Sequence, residues 1–257
     1  HGVEGRCDVT AQINIDGINQ VINYQNTFYL LDSENHTVYL WDKEAGEYRN
    51  PVLLDQIDER GLPLSVGINQ EGALLVGYDS GVMVEVSGSL PITNSVVQRF
   101  SKGVHQILTA GDYLIAVMGD GNHYRDYYTL DSQYNVIDTY DRGDAANDYA
   151  YNSDTKRFYW FTNTYSDSIE SYKISTTGEF TDFKSYSYSN RPTNFMSVSQ
   201  TGDFIMTGDG TVIRNFERGG QKSALSLSNI EGDDASDLNL IGHVWFDDIS
   251  VTAFERD

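Results

Sequence analysis

The sequence contains a single cysteine, Cys7, among 257 residues. One thiol cannot form a disulfide within the chain or supply a thiolate metal cluster, so both kinds of site are excluded. The preceding residues, Val3–Arg6, do not resemble a lipoprotein cleavage box. We therefore expect Cys7 to pack as a small hydrophobic side chain.

Basic residues are also scarce. Seventeen Lys and Arg residues face 38 Asp and Glu residues, which gives a formal net charge of −21. Such a chain repels nucleic acid and anionic lipid within a screening length of about 8 Å at physiological salt, so neither is an expected partner. Two interpretations of the charge stay open: it favours cationic partners or divalent ions, or it only keeps the surface solvated.

Long hydrophobic segments are absent. No stretch approaches the roughly 18 apolar residues of a membrane span, and the start of the chain has no signal-peptide core. We expect a soluble, mature-like domain without membrane insertion. The acidic balance and the sparse cysteine fit an extracellular or periplasmic bacterial protein.

A helical hydrophobic pattern is almost missing as well, whereas runs with a period of two residues recur between Gly, Asp, Asn and Ser. The 18 Tyr and 23 Gly residues are typical of short strands joined by tight turns. These features predict an all-β protein that forms a single domain over residues 1–257.

One strand pattern repeats six times along the chain. Its apolar second strands are predicted at Phe28–Leu31, Ala73–Gly77, Tyr113–Met118, Phe158–Phe161, Phe204–Thr207 and Val244–Phe246. Each is followed by a turn residue, at Asp32, Asp79, Asp120, Asn163, Asp209 and Asp247, with spacings of 47, 41, 43, 46 and 38 residues. A second set of positions, where the innermost strand of each unit opens, keeps a similar period: Asn19, Pro63, His105, Asn147, Asn194 and Asn239.

The two ends of the chain complement each other. The last unit, from Leu238 to Phe254, is one strand short. Apolar and polar residues alternate over Val9–Ile15, which predicts an N-terminal strand that belongs to none of the six units. We expect this N-terminal strand to complete the last unit, because closure removes exposed sheet edges.

With this period the chain resembles a β-propeller, and by its number of units it resembles six-bladed propellers of the NHL-repeat and gluconolactonase-like groups. The resemblance rests on layout, since the sequence carries no WD40, kelch or sialidase motif. It implies a single β-propeller of about six four-stranded blades, with the last blade closed by the N-terminal strand. It also implies that ligands bind on the face where the innermost strands open.

That face holds the candidate ligand-binding residues. Asn19, His105, Asn147, Asn194 and Asn239 would surround the central channel with hydrogen-bonding groups. The cations Arg60, Lys102, Arg142 and Arg191 precede the openers by three to five residues and would bind a carboxylate, sulfate or phosphate group. The alternatives are that the openers cap strand ends and that the cations pair with the acidic turns.

The acidic turns are candidates for Ca²⁺, although none has EF-hand spacing. They are Gly119–Asn122, Gly208–Gly210 and the cluster of Asp233, Asp234 and Asp237. Gluconolactonase-like propellers hold a divalent ion at the channel mouth, and the resemblance would give its amide ligands to Asn147 and Asn194. Asn19 stands where that group has a Glu, and Asp148 is the one candidate base.

Tyrosines are concentrated in the third and fourth units, where they serve packing between blades or line a groove for sugars or peptides. They are Tyr124, Tyr127, Tyr128, Tyr149, Tyr151, Tyr159, Tyr165, Tyr172, Tyr186 and Tyr188. We expect a non-catalytic recognition module that binds a peptide, glycan or protein partner over the channel face. The alternative is a metal-dependent hydrolase or lactonase at the same place.

Overall fold

The computed structural model describes residues 17–54, 60–86, 94–120, 124–144, 146–162, 168–187, 196–207, 211–214, 225–226, 238–246 and 249–256. All regular elements in these ranges are β-strands, which confirms the all-β prediction. No helix among the described residues is long and apolar enough to cross a membrane. The chain divides into two compact units, His1–Asp55 and Gln56–Asp257, so the single domain stays a prediction.

Residues 17–54 of the first unit form one antiparallel sheet. Its strands are β1 (Ile18–Tyr24), β2 (Thr27–Asp32), β3 (Thr37–Asp42) and β4 (Glu47–Tyr48), and the short β5 (Val52–Leu53) also pairs with β3. Exposure alternates along β1, as it does in a strand with one face turned to the core. Leu31 and Val38 face each other across β2 and β3 and are fully buried.

The described residues of the second unit form five further antiparallel sheets. The second sheet comprises β6 (Pro63–Ile68), β7 (Leu74–Tyr78), β8 (Val82–Val86) and β9 (Asn94–Arg99). The third comprises β10 (Gly103–Ala110), β11 (Tyr113–Gly119), β12 (Tyr124–Leu130) and β13 (Val136–Asp144). The fourth comprises β14 (Ala146–Asn152), β15 (Arg157–Thr162), β16 (Ser168–Ile174) and β17 (Phe180–Ser187). The fifth comprises β18 (Met196–Val198), β19 (Phe204–Thr207), β20 (Thr211–Arg214) and β21 (Leu225–Ser226), and the sixth β22 (Leu238–Phe246) and β23 (Ile249–Arg256).

This strand order confirms most of the repeat. The first five apolar segments, from Phe28–Leu31 to Phe204–Thr207, lie in the second strand of a sheet. The sixth prediction was wrong, because Val244–Phe246 is the end of β22, the first strand of its sheet. Gly242 interrupts the apolar pattern like a turn residue, but the strand continues through it with a shift in register after Leu240.

Closure of the last sheet by the N-terminal strand stays a prediction. Cys7 and Val9–Ile15 lie outside the described residues. The described part of the sixth sheet consists of the antiparallel pair β22 and β23.

Within the second unit, the first strands of successive sheets are neighbours. β6 lies against β10, β10 against β14, β14 against β18, and β18 against β22. The buried Ser65 hydroxyl of β6 donates a hydrogen bond to the Val104 carbonyl of β10 at 2.8 Å. A Cβ atom on Gly67 would lie 2.6 Å from Ile107 Cγ2, so the strands approach as closely as a glycine allows. The first strand of each sheet in this unit thus lies beside the first strand of the next.

Aromatic side chains fill the space between the third and fourth sheets. The ring of Tyr127 on β12 lies 4.9 Å from Trp160 and 5.3 Å from Phe158 on β15, and all three side chains are fully buried. The indole N–H of Trp160 donates to Glu170 Oε2 at 3.1 Å, so its polar atom is satisfied. Tyr149 and Tyr172 pack against the same cluster. Packing between sheets therefore accounts for these tyrosines.

Candidate functional site

The first four sheets share a backbone irregularity at the start of their first strand. The register with the second strand shifts between Ile18 and Gln20, Pro63 and Ser65, Val104 and Gln106, and Ala146 and Tyr149. The residues inside these shifts are Asn19, Leu64, His105 and the pair Asn147–Asp148. A bulge takes a residue out of the ladder and re-aims its side chain, which is why bulges are frequent beside binding sites. Asn19, His105 and Asn147 thus occupy equivalent positions, each in its own sheet.

In the first sheet, Asn19 closes the turn between β2 and β3. Its Oδ1 accepts a hydrogen bond from the Ser33 backbone N–H at 2.8 Å. The buried Asp32 carboxylate holds the same turn by accepting from the backbone N–H and the Nδ2 of Asn35, at 2.9 and 2.8 Å. Asn19 Oδ1 therefore acts here as a cap, in agreement with the alternative interpretation of the openers.

In the second sheet, Arg60 is buried before the first strand, with 9% of its surface exposed. The Ser80 hydroxyl donates a hydrogen bond to the Arg60 backbone carbonyl. The turn residue Asp79 accepts the Leu62 N–H at 3.0 Å, and Gly61 adopts a φ of +74° beside it. A Cβ atom on Gly61 would lie 1.8 Å from Asp79 Oδ1, so only glycine allows this turn.

In the third sheet, Lys102 forms an ion pair with a strand residue. Its Nζ lies 2.6 Å from Oδ2 of Asp126 on β12, and this hydrogen bond raises the pKa of Lys102. Pairing of the cations with the acidic turns would have made Asp120 the partner of Lys102. In the structure, Asp120 adds only a weaker electrostatic attraction. Asp126 is buried, so the pair is partly shielded from solvent.

His105 lies half-buried beside Arg125, a cation that the sequence analysis missed. Burial lowers the pKa of His105, and the Arg125 guanidinium lowers it further, so the imidazole is neutral at pH 7. Arg125 comes close to the backbone of Gly119, where a Cβ atom would lie 2.6 Å from its Nη1. The glycine at the end of an apolar strand was the one sequence signal for this close approach.

In the fourth sheet, Asp148 occupies the bulge next to Asn147. Its Oδ1 accepts the Tyr149 N–H at 2.8 Å, and its Oδ2 accepts the Met196 N–H of β18 at 2.7 Å. Burial raises the pKa of Asp148 to about 6, although both hydrogen bonds act in the opposite direction. A carboxyl group with this pKa exchanges its proton near neutral pH.

The remaining predicted site residues cannot be placed as side chains. The side chains of Arg142 and Asn147 lie outside the described part, as do Arg191 and Asn194 entirely. Asn239 is the second residue of β22, where its backbone pairs with Glu255. Convergence of the nine predicted residues on one ligand therefore stays a prediction.

Calcium binding also stays a prediction. Within the described ranges, no group of three or more His, Cys, Asp or Glu side chains is placed to hold a metal ion. Of the candidate turns, Gly119 and Asp120 are described, whereas Gly208–Gly210 and the cluster of Asp233, Asp234 and Asp237 lie outside.

A cleft opens between the third and fourth sheets at the opposite edge, where the first strands end. The turns β10–β11, β14–β15 and β16–β17 surround a volume of about 180 Å³. Its wall includes the aromatic Tyr113 and Tyr151, the charged Asp112 and Lys156, and the buried Ile174. The sequence analysis placed Tyr151 among the groove candidates but did not connect it to the other four residues.

Comparison with known proteins identifies the fold. No protein-family model matches the sequence, and no curated protein is similar to it in sequence. Among solved structures, hydrazine synthase from Kuenenia stuttgartiensis has a TM-score of 0.65 at 14% identity, over 92% of this chain and 73% of that chain. The Dos1 propeller has a TM-score of 0.63 at 14% identity, over 92% of this chain and 64% of that one. The fold is a β-propeller.

A third structure agrees with this result. A Bacteroides uniformis protein, provisionally assigned as a 6-phosphogluconolactonase, has a TM-score of 0.61 at 11% identity, over 80% of the propeller and 68% of that chain. Identities of 11% to 14% show the fold alone. What this propeller binds has to be argued from its own residues.

Proposed function

We propose that this propeller is a non-catalytic recognition module of an extracellular or periplasmic protein. It binds a peptide, glycan or protein partner over the edge on which its first strands open. The observation that carries the proposal is the placement of Arg125 beside His105 and close to the backbone of Gly119. Among the described cations of this edge, Arg125 is partly exposed, whereas Arg60 is buried and Lys102 is paired with Asp126, so Arg125 is the cation on which the proposal depends.

A partly exposed guanidinium favours a partner that presents an anionic group. A guanidinium binds a carboxylate or sulfate through paired hydrogen bonds, which gives orientation as well as attraction. The neutral imidazole of His105, which already hydrogen-bonds to the Gly119 backbone, adds a ring nitrogen that can accept a hydrogen bond beside it. The fixed surroundings of these groups support the proposal, because side chains that are already ordered lose less entropy on binding.

An array of sulfated glycans, carboxylated glycans and acidic peptides identifies the partner, and Arg125→Gln tests the edge. The variant should bind the selected ligand at least about tenfold more weakly, because a hydrogen bond to a charged group is lost. Lys173→Gln is the matched control: it removes the same charge from an exposed residue near the opposite end of the fourth sheet. Equal effects of the two substitutions, or binding that salt does not weaken, would contradict the proposal.

The proposed localisation has its own test. Immunodetection of the full-length protein in fractionated bacterial cells should find it in the periplasm or medium. Recovery in the cytoplasmic fraction alone would contradict that part of the proposal.

One observation favours hydrolysis as a second candidate function. Asp148 combines a pKa of about 6 with a position at a first-strand opening, which suits a general acid or base. The likeness to a protein assigned as a lactonase agrees with this chemistry but supports it only at the level of fold.

Hydrolysis is tested on a panel of sugar lactones, with turnover measured by the release of protons. The wild type should turn over at least one lactone, and Asp148→Asn should lose this activity while remaining folded by circular dichroism. Elemental analysis of the purified protein shows whether a divalent ion accompanies the activity. No turnover and no bound metal would remove the second candidate.

A further inference from the structure

We propose that the cleft between the third and fourth sheets binds one neutral sugar ring. This second site lies at the edge opposite to the first-strand openings and does not depend on the proposed recognition edge. Its residues come from three turns, so no single segment of the sequence displays the site.

The size of the cleft limits the ligand. Its volume of about 180 Å³ is below the roughly 300–1,000 Å³ of pockets that enclose drug-sized molecules. One six-membered ring with its substituents fits, whereas a longer oligosaccharide would extend into solvent. The site therefore suits the end of a glycan or a single residue along it.

The walls offer apolar surface of the kind that sugar rings contact. Ile174 is buried, and Tyr113 and Tyr151 are half-buried. The Tyr113 hydroxyl donates to the Thr176 carbonyl at 2.7 Å, which fixes its ring in the wall. Burial and the nearby Asp112 carboxylate raise the pKa of Tyr151, so its phenol stays protonated and can donate a hydrogen bond.

The polar groups of the cleft favour an uncharged ligand with several hydroxyls. The exposed Asp112 can accept two hydroxyl hydrogen bonds, and the exposed Lys156 can donate to hydroxyl oxygens. Their charges are opposite, so the pair gives neither an acidic nor a basic sugar a net electrostatic advantage. Ser153, from the same turn as Lys156, adds a hydroxyl that serves as donor or acceptor.

The backbone of Lys156 fixes where its side chain starts. This residue adopts a φ of +54°, in the left-handed region that favours Gly or Asn, as Tyr134 and Asp182 also do elsewhere in the chain. The position keeps a long cation at the mouth of the cleft, where Asn would satisfy the backbone without reaching the ligand.

Saturation-transfer NMR and calorimetry on the full chain test the site. The probes are methyl glucoside, methyl galactoside and methyl mannoside, with glucuronate and glucosamine as charged comparisons. At least one neutral glycoside should bind with about millimolar affinity, as expected for so few ligand atoms. Absence of binding at tens of millimolar, or a preference for a charged sugar, would overturn the proposal.

Four single substitutions, two in the cleft and two as controls, connect the binding to the cleft. Asp112→Asn and Lys156→Asn should each lower the affinity for the best-bound neutral glycoside at least about tenfold. Asp154 is an exposed carboxylate in the same turn as Lys156 and does not line the cleft. Asp154→Asn should therefore leave the affinity within about twofold of that of the wild type. Arg125→Gln should have no effect, so failure of this site and failure of the recognition edge are distinguishable. Unchanged binding in Asp112→Asn would place the sugar elsewhere and overturn the proposal.

Discussion

The Asp148 carboxylate accepts a hydrogen bond from the Met196 backbone N–H at 2.7 Å, which joins the bulge of β14 to the first residue of β18. Its other oxygen accepts the Tyr149 N–H at 2.8 Å. One side chain thus fixes both the opening of the fourth sheet and the start of the fifth. Burial of this carboxyl makes the connection sensitive to pH.

We predict that Asp148 stabilises the fold more at low than at neutral pH. Its pKa rises from the ordinary 3.8 to about 6 in the folded protein. The folded state therefore binds the proton more tightly, and the stability it contributes is full below about pH 4 and lost as the pH rises through about 6. Urea unfolding of Asp148→Asn should show a penalty larger at pH 4 than at pH 7.5, by up to about 3 kcal/mol.

Asp154→Asn serves as the control for this measurement. Asp154 is exposed in a turn of the same sheet, so its loss should change the free energy of unfolding by less than about 0.5 kcal/mol at either pH. An Asp148→Asn penalty that is independent of pH, or larger at neutral pH, would contradict the assigned shift.

Arg157 is predicted to be worth more to the fold than its partner Asp182. The Arg157 side chain is fully buried, pairs with Asp182, and also donates to the Ser171 hydroxyl and the Asp182 carbonyl, at 3.1 and 2.9 Å. Arg157→Met leaves buried acceptors without these donors and should cost about 3 kcal/mol in the free energy of unfolding. Asp182→Asn should cost less, about 1–2 kcal/mol, because Asn keeps an oxygen acceptor for the buried guanidinium, the side chain is half exposed, and Asn tolerates its φ of +48°. Similar costs would show that the ion pair, rather than burial of the guanidinium, decides stability.

The sequence predicted the strands well because their signals are local. Alternating apolar residues and Asp or Gly turns fix a strand and its ends within a few residues, as in Phe28–Leu31 and Asp32. β22 shows the limit of this reasoning, since Gly242 has the same sequence signal whether it ends a strand or lies in a bulge.

The contacts of the site could not be predicted in the same way. Lys102 and Asp126 are 24 residues apart, and Asp148 and Met196 are 48 apart. The sequence identified the positions where first strands open but not the acceptor or donor that each opener meets. The cleft was missed for the same reason, because its side chains come together only when two sheets pack.

Close approach of the second and third sheets makes Gly77 intolerant of any side chain. A Cβ atom there would lie 2.5 Å from Val104 Cγ1 and 2.6 Å from Ser65 Oγ, in a fully buried setting. Gly77→Ala should lower the free energy of unfolding by about 2–3 kcal/mol, measured by chemical denaturation. Gly46→Ala meets no atom within 4 Å, so it should cost only the backbone strain of a φ of +68°, about 1 kcal/mol. Equal costs would mean that the strands separate easily to admit a methyl group.

Asn152 makes four hydrogen bonds, two of which connect the fourth sheet to the fifth, and we predict that even an isosteric change breaks this connection. Its Nδ2 donates to the carbonyls of Ser199 and Gln200 at 2.8 and 2.9 Å, while Oδ1 accepts the N–H and hydroxyl of Thr155 at 2.8 and 2.9 Å.

Asn152→Asp keeps the size but places a carboxylate against two carbonyl oxygens, at a cost of about 3 kcal/mol at neutral pH. The cost should fall in acid, where the protonated group donates to one carbonyl again. Thr155→Val removes one hydrogen bond and should cost about 1 kcal/mol at both pH values. An Asn152→Asp variant as stable as the wild type at neutral pH would show that this side chain does not hold the two sheets together.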